Sequence, residues 1–83
     1  MELIELVRNA QSGNEQAIAE ICQRFTGLVK KYAFQSHVRP IAEEALSQGW
    51  LEVVQGIQQY DEQAGVPFAG YIESRVKFGI WNL

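Results

Sequence analysis

Phe68-Ala69-Gly70-Tyr71-Ile72-Glu73-Ser74-Arg75-Val76-Lys77-Phe78-Gly79-Ile80-Trp81-Asn82-Leu83 is the stretch whose reading decides the fold. Within it Phe68, Tyr71, Ile72, Val76, Gly79, Ile80 and Leu83 fall side by side or three to four positions apart. At 3.6 residues per turn that spacing gathers them on one face of a helix, whereas a half-buried strand would alternate at every second residue. Val66-Pro67 restarts the chain just before this helix, and no stop signal comes after it. Because the period is still running at Leu83, we expect a truncated chain or a protein that lacks its usual continuation.

Helical spacing extends back through most of the sequence. Asp61-Glu62-Gln63-Ala64-Gly65 reads as a loop, and before it a helix is predicted from Pro40 to about Tyr60. Leu46, Trp50, Val53, Val54 and Ile57 form its apolar stripe, with Glu44, Ser47, Gln48, Gln55 and Gln58 opposite. Pro40 suits the first turn of a helix, where a missing backbone donor costs nothing. A polar connection, Gln35 to Arg39, separates this element from a long helix spanning about Glu15 to Phe34. The stripe of that helix is Ile18, Ile21, Cys22, Phe25, Leu28, Val29 and Tyr32. Gly27 weakens its middle by up to ~1 kcal/mol relative to alanine, and close packing against a neighbour would explain a glycine there. A short first helix covers about Glu2 to Ala10, with Leu3, Ile4 and Val7 on one face. Gln11-Ser12-Gly13-Asn14 ends it, since Gly13 permits a turn and Asn14 can cap the next helix. Four helices joined by short loops, with no sustained strand alternation, predict an all-α bundle in a single domain spanning 1–83.

Composition limits the function classes. Hydrophobic residues make up 47% of the 83 and charged residues 20%, which suits a globular chain and not a disordered one. Cys22 is the single cysteine, so no intramolecular disulfide can form, and Cys22 with His37 falls short of a structural zinc set. Acids stand at Glu2 and Glu5 where a signal peptide would be basic, and no apolar run approaches the ~20 residues of a membrane span. A soluble, cytoplasmic protein without a cofactor is expected. Net charge is −3, but it is unevenly placed: Ile21 to Ala42 holds Arg24, Lys30, Lys31 and Arg39 and no acid. The remainder holds three basic and ten acidic residues, a balance of −7. Such a stretch is either a local patch for nucleic acid or a solvated helix end whose cations complement the helix dipole.

No catalytic constellation emerges. His37 sits in the polar connection without a neighbouring acid or cysteine, and Cys22 lies on an apolar stripe as a small hydrophobe. Glu43-Glu44 is an acidic pair near a helix N-terminus, where negative charge is stabilising. We therefore expect no enzyme. Trp50, Phe78 and Trp81 are large aromatics, and Phe78 and Trp81 fall off the final helix's stripe. If exposed, they fit a protein interface or a stacking platform for unpaired bases, and the alternative is packing against a segment that this chain is expected to lack.

Three segments carry a family resemblance: Glu44-Ala45-Leu46-Ser47-Gln48-Gly49-Trp50-Leu51, Ile57-Gln58-Gln59-Tyr60-Asp61 and Gly65-Val66-Pro67-Phe68-Ala69-Gly70-Tyr71. In order and spacing they resemble conserved region two of the sigma-70 family of RNA polymerase sigma factors. The opening, Leu3-Ile4-Glu5 through Gly13-Asn14-Glu15-Gln16-Ala17, is similar to the start of many short sigma factors. The resemblance implies the sigma-two helical domain and docking on the clamp helices of the largest subunit of core RNA polymerase. It assigns that contact to Glu44, Ser47, Gln48, Trp50 and Val54. It assigns promoter DNA, at the minus-ten element, to Tyr71, Ser74, Arg75, Lys77, Phe78 and Trp81.

The chain departs from the family at two places. Ser47-Gln48 replaces the family's Gln-Glu pair, so a carboxylate that would meet a clamp arginine is absent. Ser74 and Arg75 stand where housekeeping members carry the paired tryptophans that help melt DNA. The family also uses a region 4-type helix-turn-helix domain, and we expect none within these 83 residues. Two readings remain: a transcription-initiation module, or a protein-interaction module that keeps the sigma-two fold. In the second, the chain is half of a two-subunit regulator, with a partner carrying the region 4-type domain or an anti-sigma factor, and does not melt promoters by itself.

Overall fold

A computed structural model describes residues 2–35 and 39–83. Among these the protein is all-α, with five helices: α1 (Leu3–Gln11), α2 (Glu15–Arg24), α3 (Thr26–Ala33), α4 (Ala42–Gln59) and α5 (Phe68–Trp81). Short 3-10 turns occupy Arg39–Ile41 and Glu62–Ala64. Pro40 thus belongs to the turn that leads into α4, and the expected 61–65 loop contains a turn of its own. His37 lies outside the described residues. No helix among those described is long and apolar enough to cross a membrane.

The signals at helix ends act as expected where they are strongest. Gly13 adopts a left-handed φ of 97°, and the Asn14 side chain accepts from the Ala17 amide at 3.0 Å to start α2. The predicted Glu15–Phe34 helix is instead two helices. At Phe25 the backbone leaves helical geometry (φ −101°, ψ 9°), and the Thr26 hydroxyl donates to the Cys22 carbonyl at 3.1 Å. That side chain competes with the backbone ladder for an acceptor, which bends or breaks helices. The apolar stripe conceals the break because it resumes in phase on α3, where Val29, Tyr32 and Ala33 are buried.

α4 is the central element and touches each of the other four helices. Its own Val53 and Ile57 join Val7, Ile21, Val29, Ile72, Val76 and Ile80 as the largest fully buried side chains. The buried face of α4 is Ala45, Gly49, Val53, Gly56 and Ile57, a line of small residues interrupted by two branched ones. Val54, expected on the apolar stripe, is 39% exposed. The stripe is rotated because the small residues admit neighbours more closely than larger side chains would. A Cβ on Gly49 would lie 2.8 Å from Val29 Cγ1, and one on Gly56 would lie 2.6 Å from Ile72 Cδ1. Both distances are below van der Waals contact.

Gln11, from the end of α1, donates to the carbonyls of Ile57 and Tyr60 at 2.9 Å each. These are carbonyls at the α4 C-terminus that have no partner within the helix. Arg8 clasps Glu62 with two nitrogens at 2.8–3.2 Å, tying the α4–α5 connection to α1. That guanidinium holds the Glu62 carboxyl below its ordinary range. Gly65, at φ 79°, and Pro67 then turn the chain so that α5 runs antiparallel to α4, with Ile72 beside Gly56 and Ile80 beside Gly49.

Gly27 is not a packing glycine: nothing lies within 4 Å of where its Cβ would be. Gly27→Ala should therefore stabilise the protein by roughly 0.5–1 kcal/mol through helix propensity alone. Gly49→Ala should act in the opposite direction, by about 1 kcal/mol net, because overpacking against the stiff Val29 outweighs the same gain. Urea unfolding of the two variants checks this, and equal shifts of the same sign would contradict the packing described here.

Candidate functional site

Two surfaces meet along α4 and α5. The first is the outward face of α4, opposite its buried line. Glu44, Leu51, Val54 and Gln55 are exposed there, and Ser47 stands among them. Leu51, which the apolar stripe does not include, is 48% exposed and stands one turn before Val54. Its position four residues from both Ser47 and Gln55 is the available signal. Gln48 sits at the edge of this face, and its amide donates to Glu52 Oε2 at 2.8 Å. Trp50 is separate: six residues from Glu44 places it ~120° around the helix, where it packs half-buried against the core. The expected polymerase set is thus brought together in part, with Glu44, Ser47 and Val54 on one face, Gln48 beside it and Trp50 on a flank.

The second surface is a groove between α4 and α5 of about 630 Å³, with Gln48 and Glu52 on one wall and Tyr71, Ser74, Arg75, Phe78 and Leu83 on the other. Gly79 forms part of its floor. A Cβ there would sit 2.6 Å from Glu52 Oε2, so the carboxylate lies directly against the α5 backbone. Arg75 does not project from α5. Its Nε donates to Glu52 Oε1 at 3.1 Å, and one terminal nitrogen reaches the same oxygen at 3.1 Å. The other donates to Gln59 Oε1 at 2.6 Å and to the Tyr71 hydroxyl at 3.1 Å. Arg75, expected to face DNA, is therefore turned onto α4, and Tyr71, half-buried, serves as its partner.

At the far end of α5, Phe78 and Trp81 are 53% and 42% exposed, as their place off the stripe predicts. Their rings meet edge to face at 6.1 Å, and Lys77 Nζ lies 4.7 Å from the Trp81 centroid and 5.4 Å from that of Phe78. Such contacts hold a cation and two rings in a fixed arrangement. Trp81 is further anchored to α3 and the residues just after it. Its indole nitrogen donates to Gln35 Oε1 at 3.1 Å, and its ring meets Tyr32 edge to face at 6.2 Å. The Tyr32 hydroxyl in turn donates to Glu73 at 3.0 Å, and burial together with that carboxylate raises the phenol above its ordinary pKa. Ser74 is exposed on the same helix as Glu73.

The basic stretch is dispersed. Arg24 pairs with Glu20 at 3.6 Å and Arg39 donates to the Phe34 carbonyl at 3.4 Å, whereas Lys30 and Lys31 are exposed on α3. Cys22 is half-buried in the wall of the core, where burial pushes its thiol up and away from reactivity. Among the described residues no group of three His, Cys, Asp or Glu side chains is arranged to hold a metal ion.

The anchoring differs enough to separate the two rings experimentally. Trp81→Ala should cost about 1–2 kcal/mol, since it removes a hydrogen bond and a ring contact across helices. Phe78→Ala, at an exposed position, should change stability by less than about 0.5 kcal/mol. Thermal unfolding reads both, and a Phe78→Ala loss as large as that of Trp81→Ala would contradict the placement.

No protein-family model matches the chain, and no curated protein or solved structure matches it.

Proposed function

We propose that this chain is a transcription-initiation module of the sigma region two type, acting in the bacterial cytoplasm. It docks on the clamp helices of the largest subunit of core RNA polymerase through the outward face of α4. One observation carries the reading: Leu51 and Val54 stand exposed at 48% and 39% among Glu44, Ser47 and Gln55. Two apolar anchors within a polar helix face suit an interface with a dry centre and a wet rim. Isolated exposed hydrophobes need no such explanation, but a pair one turn apart on an otherwise polar helix face favours a partner. Promoter DNA, in this reading, meets α5 at Ser74, Lys77, Phe78 and Trp81.

One observation favours the second reading, an interaction module without independent promoter melting. Arg75 is engaged with Glu52, Gln59 and Tyr71, and Ser74 offers no ring to stack against an opened base pair. A separate protein carrying a region 4-type domain, or an anti-sigma factor, would then be the partner. Neither reading gives the chain a catalytic role.

A pull-down with purified core RNA polymerase tests the proposal. The wild-type chain should be retained, and Leu51→Asp combined with Val54→Asp should reduce retention at least tenfold while leaving the helical circular-dichroism signal unchanged. A folded wild-type chain that is not retained would contradict polymerase docking and leave the second reading.

A further inference from the structure

We infer that Glu52 is an internal stand-in for a phosphate group, holding Arg75 on α4 and withholding it from nucleic acid. This rests on the reading of α5 as a DNA-facing helix. A guanidinium fork suits carboxylate and phosphate oxygens alike, so a carboxylate within reach competes directly with a phosphodiester. Here the competitor is fixed. Both charged side chains are largely enclosed, at 20% exposure for Arg75 and 15% for Glu52. Gly79 lets the Glu52 carboxylate rest on α5 itself, and Gln48 donates to its second oxygen at 2.8 Å. Gln59 and Tyr71 occupy the remaining terminal nitrogen of Arg75.

The surroundings make the withdrawal consequential. The basic residues outside the stretch from Ile21 to Ala42 are Arg8, Arg75 and Lys77. Arg8 is bound to Glu62, at the other end of the α4–α5 pair. With Arg75 neutralised, Lys77 is the remaining cation of α5, and it lies over the Phe78 and Trp81 rings. Glu43 and Glu44 line the continuation of the groove past Gln48 and Leu83. While Glu52 is in place α5 offers a polyanion the charge of Lys77 alone, and the charge of Glu52 decides whether Arg75 is added to it.

Fluorescence anisotropy with a short fluorescein-labelled DNA duplex of mixed sequence tests this on the full chain, across a salt series. Glu52→Gln should bind at least threefold tighter than wild type, with a log–log salt slope steeper by ~0.9, as one additional phosphate contact requires. The gain should disappear when Arg75→Gln is added. Glu43→Gln, which removes the same charge at the edge of the groove, should give less than half of it. Arg75→Gln alone leaves the Glu52 charge uncompensated and so lowers affinity, but its salt slope should equal that of wild type, because no phosphate contact is lost. In the unaltered protein the Arg75 Nε–H resonance should not shift when the duplex is added, a readout that no substitution can disturb. Failure of Glu52→Gln to bind tighter, survival of the gain without Arg75, a shallower salt slope for Arg75→Gln alone, or a shift of that resonance would each overturn the inference. So would a Glu43→Gln gain equal to that of Glu52→Gln. Retention on core RNA polymerase, read in parallel, separates the inference from the docking proposal. Loss of retention with the DNA gain intact sinks docking alone, and retention without the gain sinks the internal clasp alone.

Discussion

The close crossing of α4 and α5 determines where the other groups lie. Gly49 and Gly56 on α4 let Ile80 and Ile72 of α5 approach within the space a single methyl group would occupy, and Gly79 does the same for Glu52. Absent a Cβ, backbones can come nearer than the 8–10 Å usual for helix pairs carrying larger side chains. The cost is the helix propensity that three glycines forgo, of order 1 kcal/mol each. Against it stands a buried run of branched side chains, Val53, Ile57, Ile72, Val76 and Ile80, each fully shielded from solvent.

Several features of the surface depend on that crossing. Because small residues define the buried line of α4, its opposite line carries Glu44, Ser47, Leu51 and Val54 outward together. Because α5 lies so near, Arg75 reaches Glu52 and Gln59 rather than solvent. The same proximity leaves Phe78 projecting beyond the contact while Trp81 reaches back toward α3 through Gln35 and Tyr32. A helix pair set one residue diameter further apart would keep the core pattern yet lose the ion pair that orients this face.

The fold class is legible in the sequence because the helix period is strong and the turn residues sit where turns occur, as Gly13-Asn14 and Gly65-Val66-Pro67 illustrate. The break at Phe25 is not, since it depends on the Thr26 hydroxyl reaching a carbonyl and leaves the hydrophobic phase intact. Val54 reads as inward because its side chain is apolar, and the glycines that rotate the stripe contribute nothing to a hydropathy pattern. A mid-helix position suggests packing for Gly27, yet Gly49, Gly56 and Gly79 are the ones that sit against a neighbour. Glycine alone does not reveal which of these roles it has. Phe78 and Trp81 are placed correctly by period. The fate of Arg75 requires knowing that Glu52, 23 positions earlier, faces it across the crossing.

Everything proposed for polymerase docking depends on the outward face of α4 being the surface that meets a partner. Hydrogen–deuterium exchange of the chain, alone and with core RNA polymerase, reads this amide by amide. Added protection concentrated on α4 between Glu44 and Gln55, with α1 and α2 unchanged, is the predicted result. Protection confined to other helices, or none in a mixture where the chain is folded, would contradict it.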